Sequence, residues 1–497
     1  MSGARPTARS LLDDVLDPGS WISWDSPLPD PEPLDPGYAA ELARAREATG
    51  LDEALLTGEG TIHGRRVAVA ACEFGFLAGS IGITAAERLV RAIESATEER
   101  LPLLASPTSG GTRMQEGTVA FLQMVKISAA VARHKAAGLP YLVYLRHPTT
   151  GGVFASWGSL GHVTAAEPGA LVGFLGPRVH ESLYGEPFPA GVQLAENLYQ
   201  HGLLDAVVAP EDLPEIAARA LRVLSASREP LPAVAALPAD PPCEVPAWEL
   251  IERSRRADRP GVRMLLRLAA SDVTPLHGTG AGESEPGLLL ALARFGGAPC
   301  VVLGQDRSRQ TSKRPLGPAG LREARRGMRL AAELDLPLVT VIDTAGAALS
   351  REAEEGGLAG EIARCLAELV MLPAPTVCVL LGQGAGGGAL ALLPADRVIA
   401  AQHGWLSPLP PEGASAILYR TVDRAAELAD RQRVRSADLL RSGIVDRIVA
   451  EHPDAAEEPE AFCGRMARAL GHELAELLRT GRQQRLATRH LRYRRLG

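Results

Sequence analysis

Four hundred and ninety-seven residues, 46% hydrophobic and 22% charged, make a globular chain long enough for two or three domains. A net charge of −7 argues against a binder of nucleic-acid phosphates, and no apolar run of about 18 residues is available to span a membrane. Six cysteines without a C-x-x-C fit neither a disulfide framework nor a four-thiolate zinc site; with no apolar signal core in MSGARPTARSLLDD, a cytoplasmic protein is expected.

From the N-terminus, Asp17 to Tyr38 is rich in Pro and Asp and reads as a surface segment. Residues 86–99 space charged and apolar positions as a helix does. Leu101-Pro102-Leu103-Leu104 then leads to Thr108-Ser109-Gly110-Gly111, and the apolar run Leu139 to Leu145 leads to Gly151-Gly152. The same order returns 235 positions later. A helix at 321–334 precedes Leu336-Pro337-Leu338-Val339 and Asp343-Thr344-Ala345-Gly346; Ala374 to Leu380 precedes Gly387-Gly388, here one residue late. His201 to Val208 resembles Ser442 to Val449 in the same way. Continuous apolar strands suit a sheet covered on both faces, so the class is α/β, one fold used twice. The proline-dense stretch 227–248 reads as a linker between a domain over 1–226 and another over 249–497. The arginine-rich end, LLRTGRQQRLATRHLRYRRLG, reads as a solvated helix and tail, with an anionic partner as the alternative.

Each half places a glycine pair after an apolar strand and before a run of small residues, HPTTGGVFASWGSLG and GQGAGGGALALL. Backbone N–H groups at such turns lack intrahelical partners and can hold a forming oxyanion. Gly382-x-Gly384-x-x-Gly387 matches a dinucleotide fingerprint in form, but residues 400–411 offer no acidic partner for a ribose. No GxSxG, HExxH or GxxxxGK[ST] occurs, and His147 and His162 read as structural. The chain thus offers backbone donors at two matched places and no obvious side-chain acid, base or nucleophile.

On these residues the sequence resembles the carboxyltransferase component of biotin-dependent acetyl- or acyl-CoA carboxylases. Residues 72–208 are similar to its β half through FGFLAGSIG, SGGTRMQEG, GLPYLVYLRHPTTGGVFAS and AEPGALVGFLGPRV. Residues 300–449 are similar to its α half through GQDRSRQTSKRPLGPAGLREARRGMRLA, LPLVTVIDTAGA, GQGAGGGALAL and SGIVDRIV. The resemblance implies two fused crotonase-like ββα-superhelix domains, acyl-CoA held by the first and carboxybiotin by the second. It implies self-association, with the active site where the N-half of one protomer meets the C-half of another. Gly151 and Gly152 would donate to one oxyanion and Gly387 and Gly388 to the other. Ala78, Gly79, Ser109, Gly110, Gly111 and Arg113 would shape the acyl-CoA side, and Gly346 with Ala347 the opposite one. Arg307, Arg309 and Lys313 suit CoA phosphates.

The implied reaction carries CO₂ from carboxybiotin on a separate carrier protein to the α-carbon of a short acyl-CoA, acetyl-CoA to malonyl-CoA first. Biotin carboxylase and biotin carboxyl carrier protein are the implied partners; no metal, nucleic acid or membrane is implied. The chain departs from the family pattern in lacking a zinc ribbon, in Thr344-Ala345-Gly346-Ala347-Ala348-Leu349, and in Ala78-Gly79-Ser80. Two other readings stay open. One is a biotin-independent hydratase, isomerase or decarboxylase using Glu116, Glu181 or Glu412; the other is a non-catalytic carboxylase subunit.

Overall fold

The computed structural model describes residues 6–32, 34–226, 245–311 and 314–496. They form two compact units, one reaching to Ser225 and including Gly280–Gly282, the other holding the remainder.

In the first unit a hairpin of Leu55–Ile62 and Arg65–Cys72 starts the sheet, with Ile22–Ser23 added antiparallel at its edge. Leu103–Ser106, Tyr141–Leu145, Val163–Ala166 and Ala206–Val207 follow, each parallel to the last. In the second unit Ser271–Leu276 pairs with the hairpin Leu288–Phe295 and Ala298–Gln305. Leu338–Thr344, Thr376–Ala385, Arg397–Ala401 and Arg447–Val449 continue it in parallel. The register repeats as well as the order: Leu103 lies opposite Tyr141, and Leu338 opposite Thr376. Both units are therefore the crotonase-like ββα superhelix that the resemblance implied, used twice.

The strands can be apolar throughout because both faces are covered; in Tyr141–Leu145 and Leu338–Thr344 every residue is buried. Helix Ile83–Glu98 buries Ala85, Leu89, Ile93 and Ala96 on one stripe, as its three-to-four spacing predicts. Its counterpart is Pro318–Glu333. Both helices begin three residues before the predicted start, because Gly82 and Gly317 serve as N-caps in extended conformation without a side-chain bond. Their first turns find carboxylates instead: Glu116 accepts from Ile83 N–H at 2.5 Å, and Glu285 from Gly317 N–H at 3.2 Å.

The arginine-rich end is a largely exposed helix, as expected, but not a free tail. It forms helix Arg482–Arg494, docked on the second unit through Arg485, Arg489 and Arg492. The linker prediction falls mostly on 227–244, outside the described residues; helix Ala247–Ser254 takes up its end. Among the described residues no helix is long and apolar enough to cross a membrane.

His134 joins the first unit's helices to its sheet, touching Thr97 Oγ1 at 2.9 Å and the Pro140 carbonyl at 3.3 Å. Burial pushes its pKa down to about 4. The unfolded chain then takes up a proton near pH 6.5 that the folded one refuses until about pH 4. The stability His134 contributes is whole above pH 6.5 and is lost as pH falls toward 4. Urea unfolding at pH 7 and pH 5 should differ by roughly 2 kcal/mol more in the native chain than in His134→Gln.

Candidate active site

In each unit two turns leave successive parallel strands and meet. The first follows Leu103–Ser106 or Leu338–Thr344, the second Tyr141–Leu145 or Thr376–Ala385. Glycine is required at both because the backbone enters the left-handed region: φ is +114° at Gly111 and +133° at Gly346, and +64° at both Gly151 and Gly386. The turns also touch. A Cβ on Gly151 would stand 3.3 Å from Gly111 Cα, and one on Gly388 would stand 3.1 Å from Ala347 N.

Hydroxyls lock the first turn identically in both units. Ser109 Oγ accepts from Gly111 N–H at 3.0 Å, and Thr344 Oγ1 accepts from Gly346 N–H at 3.2 Å. Arg113 N–H donates to the Ile81 carbonyl, as Ala348 N–H does to Leu316. Ala78 and Gly79 join this group, since Gly110 N–H donates to the Ala78 carbonyl at 2.9 Å. A side chain on Gly79 would run into the Thr108 carbonyl. Within the first unit, then, Ala78, Gly79, Ser109, Gly110, Gly111, Gly151 and Gly152 come together. Within the second, Gly346, Ala347, Gly387 and Gly388 do.

Three expectations need correction. Gly151 is not a free donor, because its N–H is taken by the Phe174 carbonyl at 3.0 Å. The short helices begin at Gly151 and Gly386, so the repeat sets Gly152 against Gly387 and Gly388 against Val153. Gly152 and Gly387 lie in the first turn of their helices, where an N–H has no intrahelical acceptor.

Arg113 does not reach a substrate. Its side chain is wholly buried, paired with both oxygens of Glu53 at 2.6 and 2.8 Å and donating to the Ser80 carbonyl at 2.8 Å. Tyr38 and Glu116 close the same cluster by a short hydrogen bond. Arg113 thus fixes the turn from behind, and desolvation is outweighed by Glu53, which holds its pKa above the usual value.

Arg307 is likewise engaged, donating to the Ser254 and Arg256 carbonyls at 2.5 and 2.9 Å. It also lies 3.6 Å from Asp343. That carboxylate is raised in pKa by burial and accepts from Gln383 N–H at 3.0 Å, tying the strand end to its neighbour. Arg309 and Arg314 are exposed, without a side-chain partner among the described residues. Lys313 lies outside them.

The dinucleotide-like glycines serve packing. Gly382 and Gly384 sit inside strand Thr376–Ala385, where a Cβ would strike Asp343 Oδ1 at 2.5 Å or the Trp405 carbonyl at 2.6 Å. A cavity of about 970 Å³ opens beside Gly386 and Gly387, walled by Leu406, Pro408, Leu439 and Ile444. His147 and His162 are structural: each Nδ1 accepts a backbone N–H, from Leu171 and Tyr141.

The side chains of the hydratase reading are committed to ion pairs or exposed on the surface. Glu116 belongs to the Arg113 cluster, Glu412 pairs with Arg255 at 2.6 Å, and Glu181 is exposed. One group of metal-type side chains, His403, Glu451 and Asp454, is buried together among the described residues. Arg259 already binds both oxygens of Glu451, so the positive charge that a cation would bring is in place.

Fold and site define a duplicated crotonase-like protein whose polar donors are backbone amides at paired glycine turns. The carboxyl transferase domain family matches residues 4–487, and the chain belongs to that family. It is 64% identical over 494 residues to the "probable biotin-dependent acyl-coenzyme A carboxylase beta3 subunit" of Mycobacterium bovis, covering 99% of each chain. It is 37% identical over 515 residues to the acetyl-coenzyme A carboxylase carboxyl transferase subunits beta/alpha of Salinispora tropica, covering 99% of this chain and 91% of that one. Among solved structures, the transcarboxylase 12S with hydrolyzed methylmalonyl-coenzyme A bound superposes with a TM-score of 0.74 at 21% identity, over 95% of this chain and 89% of the other. At that identity the likeness is one of fold.

Proposed function

We propose that this chain is the carboxyltransferase of a biotin-dependent acyl-CoA carboxylase, with β-like and α-like halves in one polypeptide. It moves CO₂ from carboxybiotin on a carrier protein to the α-carbon of a short acyl-CoA, with acetyl-CoA as the first acceptor to test. The observation that carries this reading is the doubled glycine turn. Two sites of one geometry, built from backbone donors and no free acid or base, suit a reaction in which two carbonyl oxygens gain negative charge. The names of the Mycobacterium and Salinispora relatives support the biotin and acyl-CoA parts.

Bound carboxybiotin supplies both the CO₂ and a basic ureido nitrogen, so the protein needs no base of its own. The residues present fit such a partner, because Gly152 and Gly387 have no side chain of their own between their amides and an approaching carbonyl, and a Cβ at either would crowd Thr112 or Ile362. Gly152 N–H faces the acyl-CoA side, where it takes up charge as the thioester becomes an enolate. Gly387 and Gly388 serve the carboxybiotin side. Ser109 and Thr344 keep the partner turns in place, and Arg113 anchors the first from beneath. Arg309, with Lys313, is left to meet CoA phosphates. Biotin carboxylase, the carrier protein and a second copy of this chain are the partners the reading requires.

Reconstitution with biotin carboxylase and carrier, comparing acetyl-CoA, propionyl-CoA and longer thioesters as acceptors, tests it. The expected result is ATP-dependent carboxylation with the highest kcat/KM for acetyl-CoA. A preference for longer chains would overturn the acetyl assignment, and carboxylation of none of them the reading itself.

A further inference from the structure

In the second unit one side chain from a neighbouring strand reaches both glycine-bearing turns. Gln305 is the last residue of strand Ala298–Gln305 and is wholly buried. Its strand pairs with Leu338–Thr344 only as far as Gly304 opposite Val341. Beyond that point the side-chain amide continues the pairing: Oε1 accepts from Asp343 N–H at 3.2 Å, and Nε2 donates to the Gly388 carbonyl at 2.6 Å.

Both ends of this bridge bear on the site. Asp343 leads into Thr344, whose hydroxyl holds Gly346 N–H. Gly388 belongs to the short helix Gly386–Leu390, where Ala391 N–H goes to the Gly387 carbonyl and Leu392 N–H to that of Ala389. The carbonyl between them, that of Gly388, takes the Gln305 amide. A helix of five residues has little internal rigidity. Its direction, and with it the aim of its first amides, depends on such outside bonds.

The first unit is built differently at this point. Ala68 lies opposite Leu103 as Val301 lies opposite Leu338, and four residues on the two strands end in Cys72 and Gln305. The Cys72 thiol is bonded by Thr108 N–H, the counterpart of Asp343 N–H. The turns there are joined by Thr150, which meets the Ser109 carbonyl with its N–H at 2.9 Å and its hydroxyl at 3.3 Å. The residue 235 positions after Thr150 is Ala385, which has no hydroxyl. The second unit has the glutamine bridge instead.

We propose, on the basis of the carboxyl-transfer reading, that Gln305 is the positioning residue of the carboxybiotin side. It sets the Gly387–Gly388 helix against the facing turn, and the acyl-CoA side does not depend on it.

Two variants of the full-length enzyme separate this from a general role in the fold. Gln305→Met keeps the length of the side chain and removes both bonds; Gln305→Asn keeps the amide one carbon short and is the milder change. With malonyl-CoA and free biotin, Gln305→Met should raise KM for biotin about tenfold and lower kcat, with KM for malonyl-CoA within about twofold of native. Gln305→Asn should show the same split in smaller measure, and it decides alone if Gln305→Met does not fold. An unchanged KM for biotin, or equal rises in KM for both substrates, would overturn the proposal while leaving carboxyl transfer standing. If the native chain itself turned over no malonyl thioester, the transfer reading would fall, and this with it.

Discussion

Replacing Arg113 by Met is expected to lower the unfolding free energy by about 3–5 kcal/mol, among the largest single effects in the chain. Glu53 and the guanidinium are both buried, and Glu53 takes most of its polar partners from Arg113. Removing the cation leaves a carboxylate out of water with only the Ala54 N–H in reach at 2.6 Å. Arg113→Lys should recover little, because one ammonium cannot meet both Glu53 oxygens and the Ser80 carbonyl in the same fork. The loss should reach the site as well: Gly111 and Thr112 hang between Ile81 and Arg113, so KM for the thioester should rise. Urea denaturation of the two variants checks the first part, and a loss below about 1 kcal/mol would contradict it.

A comparable loss, again about 3–5 kcal/mol, is expected for Arg489→Ala. This guanidinium is 1% exposed, pairs with Asp396 at 2.7 Å, and donates to the carbonyls of Leu369, Leu372 and Ala374. It closes the end of helix Leu358–Met371 and fixes the start of strand Arg397–Ala401. Arg482→Ala and Arg494→Ala, on the exposed side of the same helix, should stay within about 0.5 kcal/mol of the native chain. Equal effects at all three positions would mean that the helix acts through its charge and not through this clamp.

The duplication was legible in the sequence because its evidence is local. Apolar strands with both faces covered, a glycine pair after each, and a fixed 235-residue offset can all be read from neighbours in the chain. The helix starts at Gly82 and Gly317 were missed because no side-chain cap marks them; the carboxylates that bond those first turns come from Glu116 and Glu285. Distance along the chain also hid the roles of the arginines. Arg113 is decided by Glu53, sixty positions upstream, and Arg489 by Asp396, 93 positions upstream. A cation beside a substrate loop and a cation locked in the core look alike until those partners are located.

The same limit applied to Gly151. Its glycine was readable as a tight turn, but the capture of its amide by Phe174 depends on a later strand's end.

Carboxyl transfer is tested most directly by mixing the purified chain with malonyl-CoA and free biotin and following loss of the thioester's carboxyl group. Backbone oxyanion sites that leave the base to biotin predict decarboxylation to acetyl-CoA that requires biotin and falls steeply in a Gly387→Val variant. Turnover independent of biotin, or hydration of an enoyl-CoA by the same preparation, would contradict it.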